Sequence, residues 1–417
     1  MNPLSRRSFL ATSAVALAVG GLTETRNEVR GAEESGQIVN IPGFDQTRTD
    51  YDPLQKWEPY TDRKVRVGIA GHGACKFGVQ FYFQTHPNVE VVAVTDLFPD
   101  RCAEMAKIAK CEKTYPSLEE MVKDDSIEAI FCATDAPAHA DHAILCLEHG
   151  KHVATAVPAF MGNEEDGFRL FECVQKHPEL TYAMFETSCF HADLYAMEKL
   201  YTAGVFGRLI YTEGEYHHPH ILGHAPIASY KGWRTFRPPL WYPTHASAYY
   251  IGVTHKSLTE VSCQGFVPFD EVYRNPDKNG NPFSMEVGMF RTSEGGIARI
   301  VYSQSQGEYI EGGRVRGEFG GYNGRFIGDP TATKRYEQAL DNGLKLLKYA
   351  LPPGVEPGGH EGSHGYLGHD FIDSILRKRK PCVDIYDALN MTMPGFYAHR
   401  SALKDGETLK IPQFLRN

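Results

Sequence analysis

The chain has 417 residues, of which 42% are hydrophobic, 12% aromatic and 23% charged, and its formal net charge is -9. That length exceeds one hydrophobic core and suits two domains. The acidic balance argues against nucleic acid as a partner, because phosphate binding needs a basic face, and no run reaches the ~18 consecutive apolar residues of a membrane-spanning helix. The nine cysteines form no C-x-x-C pair and are odd in number, so they read as small buried hydrophobes rather than a disulfide frame or a zinc site.

Residues 1–32 place Arg6-Arg7 before Phe9-Leu10 and a short alanine-rich run, the pattern of a twin-arginine export signal. This predicts an exported protein, periplasmic or held at the cell envelope, with the twin-arginine export machinery as a partner. Residues 33–62 are polar and aperiodic and read as an extended arm. From Lys64 a regular alternation begins. A strand "KVRVGIAG" leads to a glycine turn, and a helix is predicted from there to about His86. A strand "VEVVAVTD", helices near 100–109 and 117–123, and a strand "IEAIFCAT" follow. Then come a helix at 139–149, the strand "HVATAV", a helix at 163–176 and the strand "TYAMFE". Strands alternating with helices predict an α/β domain with a doubly wound parallel sheet of Rossmann type over residues 63–188.

Residues 189–417 predict a second α/β domain. After a helix at 192–203, "RLIYTEGEYHH" alternates like a half-buried strand, and further strands are expected at 259–267, 283–292 and 296–305, forming an open, mostly antiparallel sheet. The glycine-rich segment 306–365 yields no element, and two helices are expected at 367–378 and 384–403.

"GIAGHGACKFG" points to a dinucleotide site. Gly71 and Gly73 hold the first two glycine positions of the fingerprint, with His72 between them and Ala74 after. The third position is Lys76, and the next glycine is Gly78. Asp96 ends the second strand about 20 residues on, where a carboxylate accepts hydrogen bonds from a ribose diol and repels a 2′-phosphate; the reading is NAD rather than NADP. The alternative is a cap for the next helix. Thr134 ends the "FCAT" strand beside the expected cofactor, and His139 either caps the following helix or approaches the nicotinamide half.

These stretches, with "HDFIDSILRKRKPCVDIYDAL", resemble the Gfo/Idh/MocA oxidoreductase family from about Lys64 to the C-terminus. The resemblance implies a nicotinamide cofactor, a sugar or cyclitol substrate, and a homo-oligomer. Most of that family carry Glu-Lys-Pro, with the lysine as proton shuttle, where this chain has Ala156-Val157-Pro158. A narrower resemblance is to the NAD-dependent glycosidases of family 109, which also lack the lysine. It rests on Trp233-Arg234-Thr235, Tyr242-Pro243-Thr244-His245 and Tyr216-His217-His218. It departs at Phe190, where those enzymes have tyrosine after a cysteine, and at Ala156, where they have glutamate.

With no lysine, proton transfer needs another group with a pKa near working pH. The Tyr-Pro-Thr-His stretch supplies a phenol and an imidazole, so Tyr242 and His245 are the candidate catalytic residues. Arg234, Trp233 and His218 are the candidate substrate-binding residues, because guanidinium and imidazole groups hold sugar oxygens. The cluster His217, His218, His220 and His224 lacks acidic or cysteine partners at standard spacing, so no metal is expected. "GGHEGSHGYLGHD" reads as a loop with a helix cap. Three functions are compatible with the sequence: a sugar-oxidising NAD enzyme, an NAD-requiring glycoside hydrolase or lyase, and an NAD-holding binding protein without catalysis.

Overall fold

In the computed structural model the described residues are 51–416, apart from 74, 220, 223–224, 227–228, 235–236, 270–279 and 306–307. The twin-arginine segment and most of the arm therefore lie outside them, as do Ala74, His220, His224 and Thr235.

The first strand, β1 (Val65–Ala70), is buried at five of six positions, as an apolar run in the middle of a parallel sheet should be. After it come β2 (Val89–Thr95), α1 (Pro99–Ala109), β3 (Thr114–Tyr115), α2 (Leu118–Met121), β4 (Ala129–Cys132) and α3 (His139–Glu148). This half closes with β5 (His152–Thr155), α4 (Glu164–Lys176) and β6 (Tyr182–Met184). The six strands pair in the order β3-β2-β1-β4-β5-β6, and every pairing is parallel. The order reverses beside β1, which makes the crevice outside the carboxyl ends of β1 and β4 the expected ligand position.

The helix expected between the glycine turn and His86 does not form. Two 3-10 turns, Phe77–Val79 and Phe83–Thr85, replace it. Lys76 and Tyr82 stand in the left-handed region at φ 55 and 60, which an α-helix cannot accommodate. Packing supplies the reason: the Phe81 ring lies 4.9 Å from both Phe131 and Phe185, and Phe83 is also buried. Aromatic anchoring overrides a segment whose helix propensity is already low.

The second half begins with α5 (Ala192–Thr202) and β7 (Leu209–His217). A small hairpin of β8 (Ile221–Leu222) and β9 (Ala225–Pro226) leads to α6 (Thr244–Thr254). Then follow β10 (Leu258–Phe266), β11 (Met285–Thr292), β12 (Ile297–Ser303), β13 (Ile310–Gly317), β14 (Gly320–Tyr322), β15 (Phe326–Gly328) and α7 (Pro330–Asp341). The chain ends with a short α8 (Gly359–Gly362), α9 (His364–Arg377), α10 (Ile385–Ala402) and β16 (Leu409–Lys410). Eight strands form one sheet in the order β15-β14-β13-β7-β12-β11-β10-β16. It is antiparallel except where β12 meets β7. The segment that offered no sequence pattern thus supplies three strands and two helices, α7 and the short α8.

Every residue of α6 is buried. The helix lies on the sheet at Gly214 of β7, where an added Cβ would come within 1.9 Å of the Ala246 carbonyl oxygen. That contact sets the height of His245, the second residue of α6, above the sheet.

Candidate active site

The glycine turn is fixed by backbone and by Asp96. The Gly71 N–H donates to Thr95 O over 2.8 Å. The His72 N–H donates to Asp96 Oδ2 over 2.7 Å, and the Phe98 N–H to Asp96 Oδ1 over 2.9 Å. Gly71 has φ +89, and a Cβ there would strike the Ala133 carbonyl; a Cβ on Gly78 would come within 2.5 Å of Gly71 O. Gly78 therefore performs the close packing assigned to the missing third glycine. Lys76 does not point to a phosphate: it is ion-paired with Glu104 of α1. The buried His72 ring lies 3.6 Å from the same carboxylate, and burial lowers its pKa.

At the ends of β4 and β5 the polar side chains are also engaged. Thr134 Oγ1 and His142 Nδ1 are hydrogen-bonded at 2.8 Å. His139 sits at the start of α3, and its ring bridges two strand ends: Nδ1 is 2.7 Å from Pro158 O and Nε2 is 3.0 Å from Thr134 O. Burial holds its pKa at about 4. The neutral ring has one N–H to donate, and it stands between two backbone carbonyls, so the role visible for His139 is to space the strand ends. Val157, at the family's lysine position, is buried in the apolar core.

Trp233, Arg234 and Tyr230 reach back to this edge. The Trp233 indole N–H donates to Asp135 Oδ1 over 2.7 Å, Arg234 lies 4.5 Å over the Trp233 ring, and Tyr230 meets Phe98 edge-on at 5.9 Å. Trp233 was expected to touch substrate; its N–H is instead committed to the loop after β4. Segment 229–234 therefore leans across the loops that follow β2 and β4.

Tyr242, His245 and His218 come together around Tyr216 of β7. The Tyr216 ring centroid is 4.4 Å from His245, 5.6 Å from His218 and 6.3 Å from Tyr242. Tyr242 and His245 are 5.5 Å apart. Burial raises the Tyr242 phenol, although Arg234 and Arg237 oppose the rise, and the Arg237 guanidinium lies 4.5 Å over its ring. His218 Nδ1 faces Pro219 O at 3.2 Å, and burial holds its pKa at about 3.

Beneath His245 lies a charged group that sequence reasoning missed. His245 Nδ1 is 2.7 Å from Glu186 Oε1 and 3.7 Å from Glu311 Oε1. Both carboxylate side chains are fully buried. Burial by itself would lower His245 and raise both acids. The two carboxylates outweigh it and raise His245, while the Glu186 carboxyl is lowered by His245 and the Glu311 carboxyl by His191 and His245. The result is a buried histidine–dicarboxylate cluster. Glu186 follows β6 at the carboxyl edge of the parallel sheet, the kind of position that drew attention to Asp96, and that signal was available in "TYAMFE". Glu311 had none, because it reaches the site only through the pairing of β13 with β7, in which it stands opposite Tyr216.

The loop before α9 also reaches this pocket. His360 lies 6.3 Å from His245 and 5.7 Å from Phe77, and its Nδ1 is 2.7 Å from His364 Nε2. His360 and Glu361 both adopt the left-handed region, at φ 46 and 54, a cost that tends to persist at functional positions.

Residues 65–185 match the oxidoreductase family with an NAD-binding Rossmann fold. Over 402 residues the chain is 25% identical to a glycosyl hydrolase family 109 protein of Solibacter usitatus, covering 84% of this chain and 88% of that one. A family 109 protein of Streptomyces filamentosus is 26% identical, with 99% and 91% covered. Among solved structures, levoglucosan dehydrogenase in complex with NADH and levoglucosan has a TM-score of 0.65 at 16% identity, with 84% and 100% of the two chains covered. Scyllo-inositol dehydrogenase from Lactobacillus casei, with bound NAD(H) and scyllo-inositol, has a TM-score of 0.62 at 16% identity, with 84% and 99% covered. Residues 65–185 thus match the NAD-binding Rossmann domain of the Gfo/Idh/MocA oxidoreductases, in a chain that is similar to family 109 glycosyl hydrolases through both halves.

Proposed function

We propose that the protein is an NAD-dependent enzyme that oxidises a secondary hydroxyl of a sugar or sugar derivative, with Tyr242 and His245 handling the proton in place of the missing lysine. One observation carries this reading: the His245 imidazole, backed by Glu186 at 2.7 Å, lies against Tyr216 and beside Tyr242. A histidine whose inner nitrogen is held by a buried carboxylate presents its outer nitrogen in a fixed direction, the arrangement by which a base is oriented.

The turn that would receive the cofactor fits it. Gly71, His72 and Gly73 form the cradle, Gly73 has open space where a Cβ would stand, and each Asp96 oxygen retains a lone pair for a ribose hydroxyl. NAD bound there supplies a hydride acceptor. Asp96 fixes the turn, Thr134 and His139 space the strand ends, Trp233 closes over the loop after β4, and His218 and Arg234 hold sugar oxygens. His245 takes the hydroxyl proton through Nε2, and Tyr242, with Arg237 over its ring, donates to the substrate oxygen.

A second reading is favoured by two further observations. Similarity to family 109 glycosyl hydrolases extends through both halves, and segment 229–234 ties itself to Asp135 and Phe98 across the cofactor edge. A cofactor enclosed in this way suits a net glycoside hydrolase or lyase in which the hydride is returned after elimination and water addition. It also suits export with NAD already loaded through the twin-arginine route. The test is to supply sugars and aryl glycosides to purified protein and follow nicotinamide absorbance. Net NADH formation identifies a dehydrogenase, and sugar release without it identifies the hydrolase. NAD retention with neither product, and no effect of His245→Ala, leaves the binding-protein reading.

A further inference from the structure

Four polar side chains converge under α6 with more oxygen than hydrogen to share. Ser188 Oγ lies 2.8 Å from Glu186 Oε1 and 2.5 Å from Glu311 Oε1, yet a hydroxyl has one hydrogen to give. Glu186 Oε1 also receives the Ser188 N–H at 3.0 Å, while Glu186 Oε2, fully buried, has no hydrogen bond of ordinary geometry. Beside them His191 is 1% exposed, and neither of its ring nitrogens has a hydrogen bond; its Nε2 lies 3.6 Å from Glu311 Oε1. Two carboxylates this close, without a shared proton or cation, repel each other strongly in a dry interior.

We infer that Glu186, Glu311 and His245 bind a divalent transition-metal ion, with His191 placed to complete the set. One atom from each of the first three lies within 4.8 Å of the others. Ligands at ~2.1 Å on a tetrahedral ion stand about 3.4 Å apart. The 3.7 Å and 3.6 Å separations to Glu311 are close to that figure, and the 2.7 Å contact between His245 and Glu186 opens slightly to admit the ion. Imidazole with carboxylates suits zinc, manganese or iron; the nitrogen disfavours calcium and magnesium, and the absence of thiolate from the trio disfavours copper(I). The expectation of no metal rested on the histidines of "YHHPHILGH", a different set.

The ion changes the division of labour. With Nδ1 committed to an ion, His245 would keep its hydrogen on Nε2 and would serve as a hydrogen-bond donor to a substrate oxygen. A cation held there would supply Lewis-acid polarisation of a nearby substrate oxygen. The inference does not depend on the redox reading, because metal content is measured without turnover.

The full chain is stripped with a chelator, dialysed against Zn2+ or Mn2+, and analysed for metal, with Co2+ as a spectroscopic probe. Wild type should retain about one equivalent and, with cobalt, show visible d–d bands. Glu311→Gln should weaken zinc affinity by at least about tenfold. Less than a tenth of an equivalent of zinc and manganese in wild type, with no cobalt bands, overturns the site whatever the variants do. Should Glu311→Gln fail to fold, the wild-type cobalt spectrum decides. Metal retained by a protein that holds no NAD would sink the redox reading and leave this one standing.

Discussion

Two polar regions of the molecule obey opposite rules. Beside the ends of β2 and β4 three polar groups are satisfied locally: Asp96 by two N–H groups, His139 by a backbone carbonyl, and Asp135 by the Trp233 indole. Under α6, Glu186, Glu311, His245 and His191 are buried with atoms left over. The first region gains rigidity from its hydrogen bonds, and rigidity is what a cofactor cradle needs. The second holds charge in a low-dielectric site, which weakens folding and strengthens any electrostatic work done there.

The comparison can be broken most directly at His245. His245→Ala should lower turnover by about 10²–10⁴ while retained NAD, read by absorbance after denaturation, stays unchanged. Loss of NAD would mean that the two regions are one. Glu186→Gln keeps the shape but removes a charge, so the raised pKa of His245 should fall. Turnover in the metal-free form should drop about tenfold or more, and the rising limb of its pH profile should move to lower pH.

Stability offers a further test. Gly214→Ala drives a methyl into the Ala246 carbonyl and should cost ~1–3 kcal/mol in denaturant unfolding, with turnover lost in parallel as His245 shifts. A smaller effect comes from pH. His86, His139, His218, His364 and His369 are buried with pKa values of about 3 to 4. Their folded-state values lie below the unfolded 6.5, so the unfolded chain takes up protons first. The stability term from these five rings is therefore fully present above about pH 6.5 and is lost as pH drops toward 4, by up to ~1.4 kcal/mol per proton per pH unit. The two lowered glutamates add to the loss further into acid. Melting temperatures that do not change across this interval would show that these rings are hydrated. The mildest change, Trp233→Phe, removes one hydrogen bond to Asp135, costs about 1 kcal/mol and should speed NAD release severalfold.

Much of this was legible in the chain before folding. The 3.6-residue pattern located α3 and α4, because each buries one apolar face, and the apolar run marked β2. Gly71 and Asp96 could be read from motif and spacing, and Tyr242 and His245 through the resemblance to family 109 and the missing lysine. The helix after the glycine turn was misread because Phe77, Phe81 and Phe83 are recruited by partners more than forty residues away, which no local window contains. Glu311 stayed hidden for the same reason: its neighbours are chosen by strand register in a glycine-rich segment without periodicity.

The absent side chain at Gly214 has a last consequence. Because helix and strand touch there atom on atom, the imidazole of His245 is carried by the sheet itself and not by a loop that breathes. On the proposed reading, substitutions in β7 or α6 would move His245 directly, so variants meant to alter substrate choice should leave both elements unchanged.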